Sequence, residues 1–364
     1  MKRTFLKALA ATAVGAFVAT TAYAADITGA GASFPYPIYA KWAEGYKAAT
    51  GTGLNYQSIG SSGGVRQIRA KTVAFGATDS PLKGEELDKD GMVQFPAIIG
   101  GTVPVLNVDG FKPGELRVTG PVLAEMFMGT IAKWNDPKFA ALNPGKALPD
   151  QAITVVHRAD GSGTTFNWTD YLSAVSKDWA DKVGKGNAVK WPAATSVGGK
   201  GNEGVAANVA RIKGAIGYVE YAYAKKNKLS YMQVQNQAGK YITPDDDAFA
   251  AAAAGGGLVQ RAGHGRVHGQ RQGRQELAHF HCLVHPDVQA AGRQGAIGRS
   301  AEVLRLGVQE RQADGRRPGL RRAARQPDQR HPLEGLVADR QVSPAPMRAI
   351  HGPVRAWVAS CANP

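Results

Sequence analysis

The sequence predicts an α/β fold, and three observations lead to it. Between residues 25 and 255, short apolar runs of strand character alternate with stretches whose apolar residues recur at helical spacing. Three of the strand-to-helix transitions share one design, a glycine- and hydroxyl-rich turn: GAGASFP at 29–35, IGSSGGVRQI at 59–68 and RADGSGTTF at 158–166. No internal repeat interrupts the alternation, and low complexity is confined to the alanine-rich run 248–254.

In chain order, a basic start (Lys2, Arg3, Lys7) precedes an apolar or small-residue run from Ala8 to Thr21 and an A-x-A site at Ala22-Tyr23-Ala24. That pattern predicts a secretory signal over 1–24, cut after Ala24. A membrane anchor is the alternative, but the run is too short and ends in the wrong residues. No cysteine near the cut favours a lipid-anchored form, and no later run of ~18 apolar residues suggests a span.

A helix is expected over 35–49, with Pro35 in its first turn, where a missing N–H costs nothing. Tyr39, Trp42 and Tyr46 lie at core spacing within it. A strand over 54–59 leads into Ser61 and Ser62 at an N-cap and a helix over 64–71 whose buried face begins with Val65 and Ile68. By the same patterning, strands are expected over 73–77, 103–108, 153–158 and 216–221. The remaining helices are expected over 121–128, 165–175 and 203–212, with Phe166 and Leu172 on the second of these.

A helix start leaves unpaired backbone N–H groups at the positive end of its dipole, and glycine lets an anion approach them closely. Singly, such serines read first as helix caps; three turns with hydroxyls in one chain raise anion binding to an equal reading. Enzyme readings fit less well. Gly161-Ser162-Gly163 is not the nucleophile elbow G-x-S-x-G, because Asp160 stands where its first glycine belongs. His157 is the body's only histidine and alternates to the opposite strand face from Arg158, so a serine triad lacks its base. No P-loop is present, and GAGASF fails the dinucleotide fingerprint at Phe34.

Beyond Gly255 the composition changes. Every lysine lies at or before Lys240; after Gly255 there are seventeen arginines and seven of the eight histidines. The net charge of +15 is therefore concentrated in the last third, and the body is only mildly basic. An arginine-rich nucleic-acid arm (316–331), a zinc site at His279, His281, Cys282 and His285, a disordered linker and a Cys282–Cys361 bridge are all conceivable. The reading preferred here is that 256–364 is out of frame: dropping one base from G/C-favoured codons near Leu258 restores lysines, methionines and tryptophans at plausible spacings. Sense without the shift at 300–304 suggests more than one slip.

The segments GAGASFPYPIYAKWAEGYK, YQSIGSSGGVRQI, FGATDSPL, QFPAIIGG, RADGSGTTFNWTDYL, GGKGNEGVAANV and GAIGYVEYAYAKKN, in this order over about 25–255, resemble the periplasmic phosphate-binding proteins of high-affinity phosphate ABC transporters. The resemblance implies a two-lobed, type II-like clam shell, with lobe one over 25–100, lobe two over 101–255 and a return segment disrupted by the altered tail. It implies a monomeric periplasmic receptor, not an enzyme, that binds inorganic phosphate and delivers it to membrane permease subunits, without cofactor, metal or nucleic acid. Position by position, it implies ligation by Ser33 (hydroxyl and backbone N–H), Phe34 (backbone N–H), Ser61, Asp79, Arg158, Ser162, Gly163 and Thr164, with Asp160 aligning Arg158. Family relatives commonly carry threonine at the position of Ser33. Asp79 alone would read as a capping aspartate before Ser80-Pro81. The alternatives are a phosphate-ester hydrolase and an inactive product with a basic tail.

Overall fold

The computed structural model describes residues 26–245 and 248–249, and the backbone of 277–284. The chain divides into two compact units, Met1–Gln309 and Glu310–Pro364, and every described residue lies in the first. The expected signal (1–24), Cys361, His285 and the side chains of His279, His281 and Cys282 fall outside the described residues. Among the described residues no helix is long and apolar enough to cross a membrane.

The first lobe runs β1 (Ile27–Gly31), α1 (Tyr36–Thr50), β2 (Leu54–Ser58), α2 (Ser61–Arg69), β3 (Phe75–Thr78) and α3 (Gly84–Lys89), then enters the long strand β4 (Val93–Asn107). The second continues with β5 (Arg117–Val118), α4 (Gly120–Met128), α5 (Pro137–Ala141), β6 (Thr154–Arg158), α6 (Gly163–Val175) and α7 (Lys177–Lys182). It is completed by β7 (Ser196–Gly199), α8 (Gly201–Arg211), β8 (Ala215–Glu220), α9 (Tyr221–Lys226), β9 (Ser230–Tyr231), β10 (Gln233–Gln235) and β11 (Tyr241–Ile242). A last strand, β12 (Leu277–Val284), lies in the segment read from sequence as an out-of-frame tail, and its backbone is nevertheless part of the sheet.

The strand order is β2-β1-β3-β12-β4-β8-β6-β7, with β9 also on β4. Strand β4 serves both lobes: Val93–Gly101 pairs antiparallel with β12, and Thr102–Asn107 pairs antiparallel with β8. β1 lies parallel between β2 and β3, and β6 lies parallel between β7 and β8. Each lobe therefore directs the C-terminal ends of its parallel strands into turns that open helices, where ligands of open α/β sheets gather.

The helices form where periodicity and caps agree. On α1, Tyr39, Trp42 and Tyr46 are buried, and Gly51 closes the helix in the left-handed region at φ 74°. Thr119 caps α4 by accepting from the Val122 N–H, and Ser162 caps α6 by accepting from the Thr165 N–H at 3.0 Å. The second lobe's core includes Leu123, Phe127, Trp134, Trp168, Leu172 and Trp179, and Trp168 stacks on Tyr218 with ring centroids 5.1 Å apart.

Two details differ from the sequence reading. Pro35 is the N-cap of α1, and the proline of its first turn is Pro37. The N-cap of α2 is Gly60, not Ser61 or Ser62: Gly60 takes φ 83°, ψ 154°, a conformation side chains disfavour, and Ser61 becomes the first helical residue. The hydroxyl of Ser61 is thereby released from capping. A Cβ on Gly60 would also lie 2.3 Å from Asp160 Oδ2 and 2.8 Å from the Gly161 carbonyl.

Gly60→Ala should therefore cost more than the about 1–3 kcal/mol of backbone strain alone. Gly110→Ala, at a positive φ of 86° with open space around it, is the control for a left-handed position without the clash. Urea midpoints of both variants separate the two contributions, and equal losses would show that the clash is relieved elsewhere.

Candidate functional site

All eight residues expected to bind belong to turns that converge between the lobes. Ser33 and Phe34 follow β1, Ser61 opens α2, Asp79 follows β3, Arg158 ends β6, Ser162 caps α6, and Gly163 and Thr164 begin it. All seven non-glycine members are buried, none more than 5% exposed.

Hydrogen bonds knit these turns into one network. Ser61 Oγ accepts from the Gly163 N–H at 2.9 Å and from the Asp79 N–H at 3.4 Å. Thr164 Oγ1 donates to Asp79 Oδ2 at 3.1 Å and accepts from Arg158 Nη1 at 3.5 Å. Ser62 N–H donates to the Gly161 carbonyl at 3.1 Å, tying the second turn to the third. Gly163 must be glycine because a Cβ there would lie 2.6 Å from both the Asp79 Cβ and the Ser61 Oγ.

Arg158 is held as the sequence reading expects. Its Nε and Nη2 donate to the two carboxylate oxygens of Asp160 at 2.8 and 2.6 Å, a bidentate pair that fixes the guanidinium plane. Asp160 Oδ1 also accepts from the Gly201 N–H at 3.0 Å. Burial pushes the Asp160 carboxyl up, but the hydrogen bonds and charge of Arg158 outweigh it and hold the group below the usual carboxylate range. With two guanidinium nitrogens spent on Asp160, Nη1 is the one turned toward Thr164 and Asp79.

Asp79 is the opposite case. Burial pushes its carboxyl up to about 7, against the charge of Arg158 and the Thr164 hydroxyl, which both act to lower it. Oδ2 has its Thr164 partner, whereas Oδ1 is buried and has no hydrogen-bond partner among the described residues. One unpaired, buried carboxylate oxygen in a network otherwise rich in N–H and O–H groups suits an oxyanion that itself carries a hydrogen.

Several participants were not singled out from sequence. Asn202, fully buried on the first turn of α8, donates from its backbone N–H and from Nδ2 to Ser33 Oγ, at 3.0 and 2.9 Å. Tyr223 Oη donates to the Ser33 carbonyl at 2.6 Å, and Asn167 Nδ2 to the carbonyls of Asp79 and Gly163 at 3.3 and 3.1 Å. The signal for Asn202 is present in the sequence: GGKGNEG is a fourth glycine-rich turn into a helix. His157 lies off the site, stacked on Trp191 with centroids 4.9 Å apart.

Fold and site together define a two-lobed binding protein that closes over an oxyanion-type set of donors. Residues 12–260 match the PBP superfamily domain, and the chain belongs to that family. It is 58% identical over 249 residues, 68% of its length and 72% of the relative's, to the phosphate-binding protein PstS of Pasteurella multocida. Over 246 residues it is 57% identical to the PstS of Haemophilus influenzae, covering 68% of this chain and 73% of that one. Among solved structures, a human phosphate binding apolipoprotein shares the fold at 20% identity with a TM-score of 0.57, over 76% of this chain and 85% of that one.

The raised Asp79 carboxyl makes stability pH-dependent. Its folded value lies above its unfolded value, so its contribution is complete below about pH 4 and is lost as pH rises through about 7. Urea stability of the ligand-free protein should decline across that window, and Asp79→Asn should flatten the decline; parallel profiles would show that Asp79 ionises normally.

Proposed function

We propose that this chain is a periplasmic receptor that binds inorganic phosphate and hands it, as a monomer, to the membrane subunits of an ABC importer. The eight residues Ser33, Phe34, Ser61, Asp79, Arg158, Ser162, Gly163 and Thr164 supply its ligand groups. The observation that carries the reading is the unpaired, buried Asp79 Oδ1 at turns rich in N–H and hydroxyl groups. The names of the relatives, phosphate-binding protein PstS, support it.

Phosphate near neutral pH keeps a hydrogen, and an ionised carboxylate can only accept one, so the two form a charge-assisted bond. Sulfate brings none, and its oxygens would face Asp79 unsatisfied and repelled, a cost of at least about 1–3 kcal/mol. The guanidinium charge is matched by Asp160, so amide and hydroxyl dipoles meet most of the ligand's charge. Many donors at about 1 kcal/mol each reach the ~8 kcal/mol of a micromolar site once binding entropy is subtracted.

Calorimetric titration tests this. Phosphate should bind and sulfate should not at pH 8, where Asp79 is ionised. As pH falls through about 7 the neutral carboxyl can donate, and discrimination against sulfate should narrow. Asp79→Asn should admit sulfate, weaken phosphate and remove the pH dependence of selectivity. Equal affinity of the unaltered chain for both anions at pH 8 would overturn the reading.

We infer also that the reading frame slips near codons 255–258, leaving lobe one over 25–100, lobe two over 101–255 and an altered segment over 256–364. The switch from lysine to arginine and the end of the family match at residue 260 support this. Resequencing that stretch should reveal a missing or extra base, and the frame-corrected chain should bind phosphate more tightly than the chain as written. An intact frame, or equal affinities, would refute it.

A further inference from the structure

We propose that Asn202 is a positioning residue that sets the direction of the Ser33 hydroxyl and clasps the closed lobes together; the proposal rests on the phosphate reading above. A serine hydroxyl has two acceptor directions and one donor. Ser33 Oγ accepts from Asn202 twice, from the backbone N–H at 3.0 Å and from Nδ2 at 2.9 Å. Both acceptor directions are then filled, and the single O–H is left to point at the ligand. Without Asn202, that hydroxyl could turn and accept, and an anion would meet a lone pair instead of a proton.

The Asn202 amide cannot reverse this polarity, because its own orientation is imposed. Oδ1 accepts from the Glu220 N–H at 2.9 Å, so the NH₂ group must be the end that faces Ser33. The second Nδ2 hydrogen reaches Thr164 Oγ1 at 3.3 Å. With Arg158 Nη1 on the same oxygen, the Thr164 hydroxyl also has its acceptor directions filled and donates to Asp79 Oδ2. One buried amide thus orients two hydroxyls, one on each side of the ligand.

The geometry crosses the lobes. Ser33 follows β1 in the first lobe, whereas Asn202 and Thr164 belong to α8 and α6 in the second. In the same seam Tyr223 Oη donates to the Ser33 carbonyl at 2.6 Å and Ser58 Oγ donates to Glu203 Oε1 at 3.3 Å. Of these contacts around α8, the Asn202 clasp acts directly on a proposed ligand hydroxyl, as the Gly163 N–H does on Ser61 Oγ.

The test is phosphate titration of the full chain at pH 8 with Asn202→Asp, Ser33→Ala and the double variant. Asn202→Asp keeps size and the acceptor for the Glu220 N–H but removes the Nδ2 donors, so the fold should survive, checked by its thermal midpoint. The Ser33 hydroxyl should then donate to the new carboxylate, and phosphate affinity should fall at least about tenfold. In the Ser33→Ala background the same substitution should cost at least about threefold less, because the hydroxyl it misdirects is gone. Unchanged affinity of Asn202→Asp, or a loss that is the same with and without the Ser33 hydroxyl, would overturn the proposal. If Asn202→Asp unfolds, Asn202→Gln in the same cycle decides it by the same coupling. Failure of the unaltered chain to bind phosphate would instead overturn the functional reading.

Discussion

The buried bidentate pairing of Arg158 with Asp160 is the constraint around which the site is arranged. Taking a guanidinium out of water is costly, and a single carboxylate repays it only with good geometry and with its remaining acceptor capacity used. Here the two nitrogens meet two oxygens, and the Gly201 N–H takes up further capacity on Oδ1. That third bond matters beyond energy, since it joins the turn after β6 to the start of α8. The guanidinium is immobilised and its charge matched before any ligand arrives. Breaking the pair would leave a buried charge unmatched and untie α8, which carries Asn202, from the turn that carries the other ligand groups.

Glycine makes the rest of the convergence possible, for a reason of distance more than flexibility. A Cβ on Gly64 would lie 2.5 Å from the Gly31 Cα, and one on Gly199 would lie 2.5 Å from the Gly204 carbonyl carbon. α2 therefore sits directly on β1, and α8 directly on β7. Helix starts pressed this closely to strand ends bring the N–H groups of one turn within reach of the hydroxyls of another across the two lobes. The Gly163 N–H on Ser61 Oγ is the result.

The same glycines explain what could and could not be read from the sequence. The strands with branched or aromatic residues, around Thr154–Arg158 and Ala215–Glu220, were legible from pattern, as were α1 and α6. β1 (ITGAG) and β7 (SVGG) were not, because close helix packing strips them of the residues that signal a strand. The start of α2 was placed too late for a related reason: serine is the usual cap, which pointed to Ser61 and Ser62, and only the φ of Gly60 shows that it takes the role. Family resemblance and turn chemistry picked out eight residues whose turns the fold brings together, and GGKGNEG marks the turn that carries Asn202, whereas Tyr223 and Asn167 act through distant partners that no local pattern encodes. The antiparallel placement of β12 between β3 and β4 was equally out of reach: LAHFHCLV is apolar enough for a strand, but it lies in the segment read as out of frame.

What the network achieves is a sorting of hydroxyl polarity by backbone and side-chain N–H groups. Ser61 Oγ accepts from the Gly163 and Asp79 N–H groups, and Ser33 Oγ accepts from two N–H groups of Asn202. A hydroxyl with both lone pairs engaged has no choice but to donate. Thr164 obeys the same rule, yet its proton is aimed at Asp79 Oδ2, which leaves Oδ1 as the acceptor amid donors. A tetrahedral oxyanion offers acceptors in every direction, so its fit to such a site is limited by that single oxygen. The carboxylate is consequently not an obstacle the protein tolerates beside an anion. On the proposed phosphate reading, it is the element through which the number of hydrogens on the ligand, and not merely its size or charge, would decide whether the two lobes can close without leaving a buried group unpaired.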